Sequence, residues 1–259
     1  MTDRSHFEID TWGTILFIDC DAGPAVKSAI NAVREFVYQV DQDFSTYKPD
    51  SYISRLRRNE ITIEHCPDVV RNVWELCLRA RALTDGAFDP WAVPGGFDPS
   101  GYVKGWAADR CISILKKHGI KSIQINAAGD LSLADGYNGE PWSIGIRHPD
   151  NAETIVKVFE ITDGAIATSG TYERGAHIVD PFTQLIAIGA RSATVVGPDG
   201  GLADALATAL IVLGKDGASL FQKPELADYG AWIIERHSDT AWGFGKGFTP
   251  TSQDSQTPN

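Results

Sequence analysis

In the stretch GLADALATALIVLG, Gly201 to Gly214, every position between the outer glycines is apolar or small except Asp204 and Thr208. At 3.6 residues per turn these two stand one turn apart and share a helix face. Two readings fit. In the first, Asp204 caps the helix start, since it lies within about a turn of Gly200-Gly201, and Thr208 bonds back to a carbonyl of the preceding turn. In the second, carboxylate and hydroxyl are oxygen ligands for a hard cation such as Mg²⁺, or part of a phosphate site. A buried carboxylate without a partner is costly or takes up a proton, and a cation removes that cost.

A second cluster is AFDPWAVPGGFDPSGYVKG. Asp89 and Asp98 each precede proline, which holds them in extended or turn conformation. Gly101 permits close backbone approach, and Lys104 could reach a phosphate from the first turn of the following helix. The stretch has no GxxxxGK[ST] and its glycines are too sparse for a dinucleotide fingerprint. By motif alone, a structural turn with surface carboxylates fits it somewhat better. The third cluster is ATSGTYERGAHIVDP, where Thr168, Ser169 and Thr171 lead into His177 and then Asp180. Ser169 is not in GxSxG, and on a strand His177 and Asp180 would face opposite sides.

These clusters need elements to hold them. HFEIDTWGTILFIDC reads as strand–turn–strand, broken at Gly13. From Ala25 to Val40, apolar residues at Val26, Ile30, Val33, Val37 and Val40 predict a helix with one buried face. DSYISRLRR reads as a short capped helix, ITIEH as a strand, and PDVVRNVWELCLRARALTDG as a helix with Pro67 at its start and Gly86 past its end. A further helix is expected through GYVKGWAADRCISILKKHG. Strands follow in SIQINAAGDLSLADG, WSIGIRHP, VKVFEIT, AHIVDP and ARSATVVG, and a closing pair lies around AWIIER and TAWGFG. Helices and strands mix without a βαβ rhythm, which predicts an α+β fold with mainly antiparallel sheets packed with helices. A single domain over residues 1–246, as one unit or two intimate lobes, is expected, with a disordered tail over 247–259.

The net charge of −11 argues against nucleic acid or an anionic membrane as partner. The start has no apolar stretch of signal-peptide length, no later run spans a bilayer, and Cys20, Cys66, Cys77 and Cys111 show no metal-finger spacing. A cytoplasmic protein with reduced thiols and no direct membrane insertion is the expectation.

The order FSTYKPDSYISRL, TDGAFDP, DPSGYVKGWAADR, NAAGD, ATSGTYERGAHIVDP and ADALATALIVLG resembles the ApbE family of FAD:protein FMN transferases, from about Trp12 to Gly214. The resemblance implies a T-fold-related architecture and a Mg²⁺-dependent transfer of the FMN half of FAD onto a Thr or Ser hydroxyl of an acceptor flavoprotein, with AMP released. It implies Mg²⁺ ligands at Asp204, Thr208 and the Gly101 carbonyl, and FAD contacts at Trp12, Tyr47, Ala87, Phe88, Asp89, Asp98 and Lys104. His177 would be the base for the acceptor hydroxyl. Two alternatives stand beside this: hydrolysis of FAD to FMN and AMP, and non-catalytic FAD binding. The sequence departs from the family pattern at Ala128, where GGD is usual, and at Gln184, where DPxTG is usual.

Overall fold

The computed structural model describes residues 3–170 and 178–248. Eight strands form one sheet in the order β1-β2-β3-β4-β7-β8-β9-β10, each pairing antiparallel with its neighbour. The strands are β1 (Arg4–Thr11), β2 (Thr14–Asp21), β3 (Ile123–Ala127), β4 (Asp130–Ala134), β7 (Gly164–Gly170), β8 (Ala190–Gly197), β9 (Gly230–Glu235) and β10 (Ala241–Gly245). A separate hairpin, β5 (Trp142–His148) and β6 (Asn151–Ile161), is inserted between β4 and β7. The helices are α1 (Val26–Phe44), α2 (Tyr52–Arg57), α3 (Asp68–Leu83), α4 (Ser100–Lys117) and α5 (Gly200–Leu213). This is the expected α+β architecture, with every described strand pair antiparallel.

Side-chain alternation along the strands divides the core. On the helix side, Leu16, Ile18, Ile123 and Ile125 pack with Val33, Val37, Ala108 and Leu115 of α1 and α4. Further along the same side, Val195 and Ile233 pack with Leu206, Leu210 and Ile211 of α5. On the opposite side, Leu133, Ile166, Trp232 and Ile234 are covered by Trp142, Ile144, Ile146 and Ile161 of the inserted hairpin. A helical subcluster joins the C-terminal end of α1 and the buried face of α3 to Phe88, Phe97 and Trp106. Each fully buried large aliphatic side chain is worth about 1.5–3 kcal/mol, so the sheet is held firmly from both faces.

Several elements differ from expectation. ITIEH contains a 3₁₀ turn, Ile63–His65, closed by Cys66 N–H donating to the Ile63 carbonyl at 3.0 Å. A strand there would need a neighbour for its backbone groups, and the local turn satisfies them instead. The strand β7 was not foreseen, because GAIATSG is rich in small residues with weak strand preference. α1 runs four residues beyond Val40. Of the AHIVDP strand, the described part makes a single bridge, Val179 to Ile186. Of the tail expected from 247, Phe248 packs against Phe159, with ring centroids 6.1 Å apart; residues 249–259 lie outside the described residues. Among the described residues no helix is long and apolar enough to cross a membrane.

Candidate functional site

The site is set by how α4 and α5 cross. Gly105 and Gly200 meet so closely that a Cβ on Gly105 would lie 2.1 Å from the Gly200 carbonyl oxygen. A Cβ on Gly201 would lie 2.5 Å from the Tyr102 ring. Only glycine permits this approach. The helices run in opposite senses from that contact, which brings Lys104 to Asp204 and Gly101 to Thr208 in turn. Lys104 Nζ donates to Asp204 Oδ2 at 2.9 Å and also to Asp130 Oδ2. A Cβ on Gly101 would lie 3.5 Å from Thr208 Oγ1. The backbone of α4 departs from helical geometry at Gly101 itself (φ −82°, ψ 16°).

The sheet supplies the other wall through its register. On β4, Asp130 and Ser132 share the helix-facing side while Leu131 and Leu133 face the hairpin. Asp130 therefore meets Lys104, and Ser132 Oγ donates to Asp109 of α4 at 2.6 Å. On β7, Ser169 reaches α5, where its hydroxyl lies 3.2 Å from Thr208 Oγ1. Asp130 was not singled out from sequence; its place in the NAAGD block was the signal that could have marked it.

Of the two readings of the α5 polar pair, capping is excluded for Asp204. The N-cap is Asp199, whose carboxylate accepts from Leu202 N–H at 2.7 Å. Asp109 Oδ2 accepts from Gly200 N–H at 2.7 Å, so a second carboxylate serves the same helix end. Asp204 is an interior residue, 3% exposed. Burial pushes the Asp109 carboxyl up to about 6, against its hydrogen bonds from Ser132 and Gly200. For Lys104, burial lowers the pKa, but the charges of Asp130 and Asp204 outweigh it and hold the ammonium above its usual range.

A cavity of about 240 Å³ opens over this crossing. It is lined by Ala87, Phe88, Asp89, Asp98, Gly101, Lys104, Asp204 and Thr208, all marked from sequence, together with Ala128, Asp130, Ser169 and Pro181. Asp89 and Asp98 also hold the wall in shape, which their reading as surface carboxylates did not include. Asp89 accepts from Trp91 N–H at 2.9 Å and pairs with Arg81 at 2.7 Å. Asp98 accepts from Ser100 N–H at 2.9 Å, starting α4. Trp12 and Tyr47 do not line this cavity. Trp12 sits with φ 53° in the β1–β2 turn and packs against two core clusters, whereas Tyr47 is 95% exposed. His177 lies outside the described residues. Ala128 and Gln184, the two departures from the family pattern, both carry positive φ, 57° and 60°. These are conformations that glycine adopts more readily.

The donor set of one carboxylate, one hydroxyl and the neighbouring Gly101 backbone is all hard oxygen, the chemistry Mg²⁺ takes. Beside it, one ammonium can meet a phosphoryl oxygen. Fold and site together define an antiparallel α+β protein with a cavity lined by carboxylates, hydroxyls and one lysine at a glycine helix crossing. The ApbE family model matches residues 7–94 and 94–230, and the chain belongs to that family. A FAD:protein FMN transferase of Vibrio cholerae is 26% identical, with 83% of each chain covered. One of Escherichia coli K12 is 35% identical over 53% of this chain and 42% of that protein. The solved flavin transferase ApbE of Vibrio cholerae shares the fold with a TM-score of 0.82 at 24% identity, over 95% of this chain and 98% of that one. The ApbE protein of Thermotoga maritima does so with a TM-score of 0.77 at 22% identity, over 90% and 94%.

Proposed function

We propose that this protein transfers the FMN half of FAD onto a Thr or Ser hydroxyl of an acceptor flavoprotein, releasing AMP, and that it acts in the cytoplasm. The observation that carries this is the convergence of Gly101, Lys104, Asp204 and Thr208 on one cavity. In the reaction, the acceptor oxygen forms a new bond to the FMN phosphorus. The bond from that phosphorus to the bridging oxygen breaks, and AMP leaves. His177 would take the hydroxyl proton, as the family resemblance suggests.

Asp204, Thr208 and the Gly101 carbonyl would hold Mg²⁺. When bound, the cation neutralises charge on the phosphoryl oxygens. Lys104, held beside Asp204, would orient the pyrophosphate, and Phe88 and Ala87 would wall the bound flavin nucleotide. Asp130 positions Lys104.

The test combines purified protein, FAD, Mg²⁺ and a panel of purified flavoprotein domains. Expected are AMP release and a domain whose flavin fluorescence survives a denaturing gel. AMP without labelled protein would make the enzyme a FAD hydrolase. FAD binding without AMP would make it a flavin carrier.

A further inference from the structure

Beside the cavity, residues 178–187 fold back on themselves. Asp180 N–H donates to the Leu185 carbonyl at 2.8 Å, and Ala187 N–H to the Ile178 carbonyl at 2.9 Å. The Asp180 carboxylate accepts from Phe182 N–H at 2.8 Å and from the Thr183 hydroxyl at 2.9 Å. The turn is therefore pre-formed. Its inner side, Ile178, Val179 and Pro181, lines the cavity. Its outer side is apolar and open: Phe182 is 62% exposed, Leu185 69%, Ile186 51% and Ile188 67%. Eleven large hydrophobic side chains are exposed among the described residues, and these four fall within seven consecutive positions. A concentration of that kind marks a contact surface rather than ordinary scatter.

From these features we infer that the outer side of this hairpin is where the acceptor protein docks, its apolar residues seating the segment that carries the hydroxyl. The inference rests on the transferase reading above. Continuity supports it, because the Phe182 ring lies 3.8 Å from where a Cβ on Gly86 would stand, against the turn that continues into Ala87, Phe88 and Asp89 of the cavity wall. A segment lying on this rim delivers its side chain straight into the cavity. Charge fixes the partner's chemistry. Asp180 is the one charged residue in 178–189, and it is tied within the turn. Next to the rim, Arg81 pairs with Asp89, and Lys223 pairs with Asp85 at 2.8 Å. The charges beside the rim thus cancel in pairs except for the Asp180 carboxylate held within the turn, so the exposed apolar side chains bear no charge of their own on a chain of net charge −11. The rim suits a segment with apolar, uncharged residues around its Thr or Ser, and not a basic segment drawn by overall charge.

The test uses Leu185→Ser and Ile188→Ser, singly and together, with Leu185→Met as the conservative control. None of these residues lines the cavity. Transfer is measured against the concentration of the flavoprotein domain that the wild-type protein labels, with FAD affinity and melting temperature measured alongside. The double variant is expected to raise the KM for the acceptor by at least about tenfold, with kcat, FAD affinity and melting temperature near wild type, while Leu185→Met behaves as wild type. An unchanged acceptor KM overturns the docking surface. So does a wild-type dimer that the double variant dissociates while its acceptor KM stays the same, since a second copy then covers the patch. If the wild-type protein releases AMP but labels no domain in the panel, the transferase reading itself fails and this inference falls with it.

Discussion

Lys104 Nζ stands 2.9 Å from Asp204 Oδ2 and is bonded at the same time to Asp130. One ammonium thus faces the carboxylate proposed to bind Mg²⁺, so a cation held there would compete with Lys104 for Asp204.

That competition has a measurable consequence. Lys104→Met is expected to bind Mg²⁺ at least about tenfold more tightly than wild type in the absence of FAD, by titration calorimetry. Without Mg²⁺ the variant takes the one ammonium away from two buried carboxylates and should lose about 3–5 kcal/mol of stability. Added Mg²⁺ should restore part of it. Equal Mg²⁺ affinity in both proteins would show that Lys104 does not guard the site.

Asp204→Ala should remain folded and lose Mg²⁺-dependent turnover. A cation supplies several kcal/mol of transition-state stabilisation, and each tenfold in rate is about 1.4 kcal/mol. A fall of at least about a hundredfold is therefore expected in the AMP-release rate. Full activity would sink the metal assignment.

Gly105→Ala tests the helix crossing. The added methyl would overlap the Gly200 carbonyl, and relieving it must part α4 from α5. Overpacking of this kind costs about 1–3 kcal/mol or more, read as a lower denaturation midpoint. Activity should fall further than stability, because Lys104 and Gly101 move off Asp204 and Thr208 together. A variant with normal stability and turnover would refute the crossing as the ruler of the site.

Asp109 gives a pH signature. Its carboxyl is raised from an ordinary 3.8 to about 6 by burial, so between those values the folded protein holds a proton that the unfolded chain has lost. Stability contributed by the protonated form is present at low pH and declines as pH rises through about 6. Asp109→Asn keeps an acceptor for Gly200 N–H, lets the Ser132 hydroxyl reverse, and removes the titration. Denaturation of both proteins from pH 4 to pH 8 should show the variant gaining on wild type by about 1–3 kcal/mol, with the change centred between pH 4 and 6. Parallel stability curves would contradict this.

Much of this was legible in the residues. The apolar spacing of Val26, Ile30, Val33 and Val37 specified α1, and Pro67 and Gly86 bracketed α3, because helix periodicity and end signals are local. The Trp12-Gly13 turn was legible for the same reason. Eight of the residues marked for the site lie together on one cavity. What escaped depended on tertiary partners. Asp130 is a lone carboxylate in sequence and becomes a lysine ligand only when β4 lies beside α4. GAIATSG forms a central strand because β4 and β8 pair with it on both sides, despite its weak intrinsic preference. ITIEH carries strand-forming residues but has no strand beside it among the described residues. Asp204 is close enough to Gly200-Gly201 in sequence to suit a cap, but Asp199 holds that place.

The ion pairs of Lys104 differ greatly in reach along the chain: Asp130 is 26 residues away and Asp204 is 100. During synthesis at about 5–20 residues per second, Asp130 follows Lys104 within seconds, and the helix bearing Asp204 emerges about 5–20 s after Lys104. A nascent chain can thus pair its lysine early, yet it has no complete donor set until α5 has left the ribosome and docked. A site that needs Asp204 and Thr208 would therefore stay incomplete until α5, about four-fifths of the way along the chain, is in place.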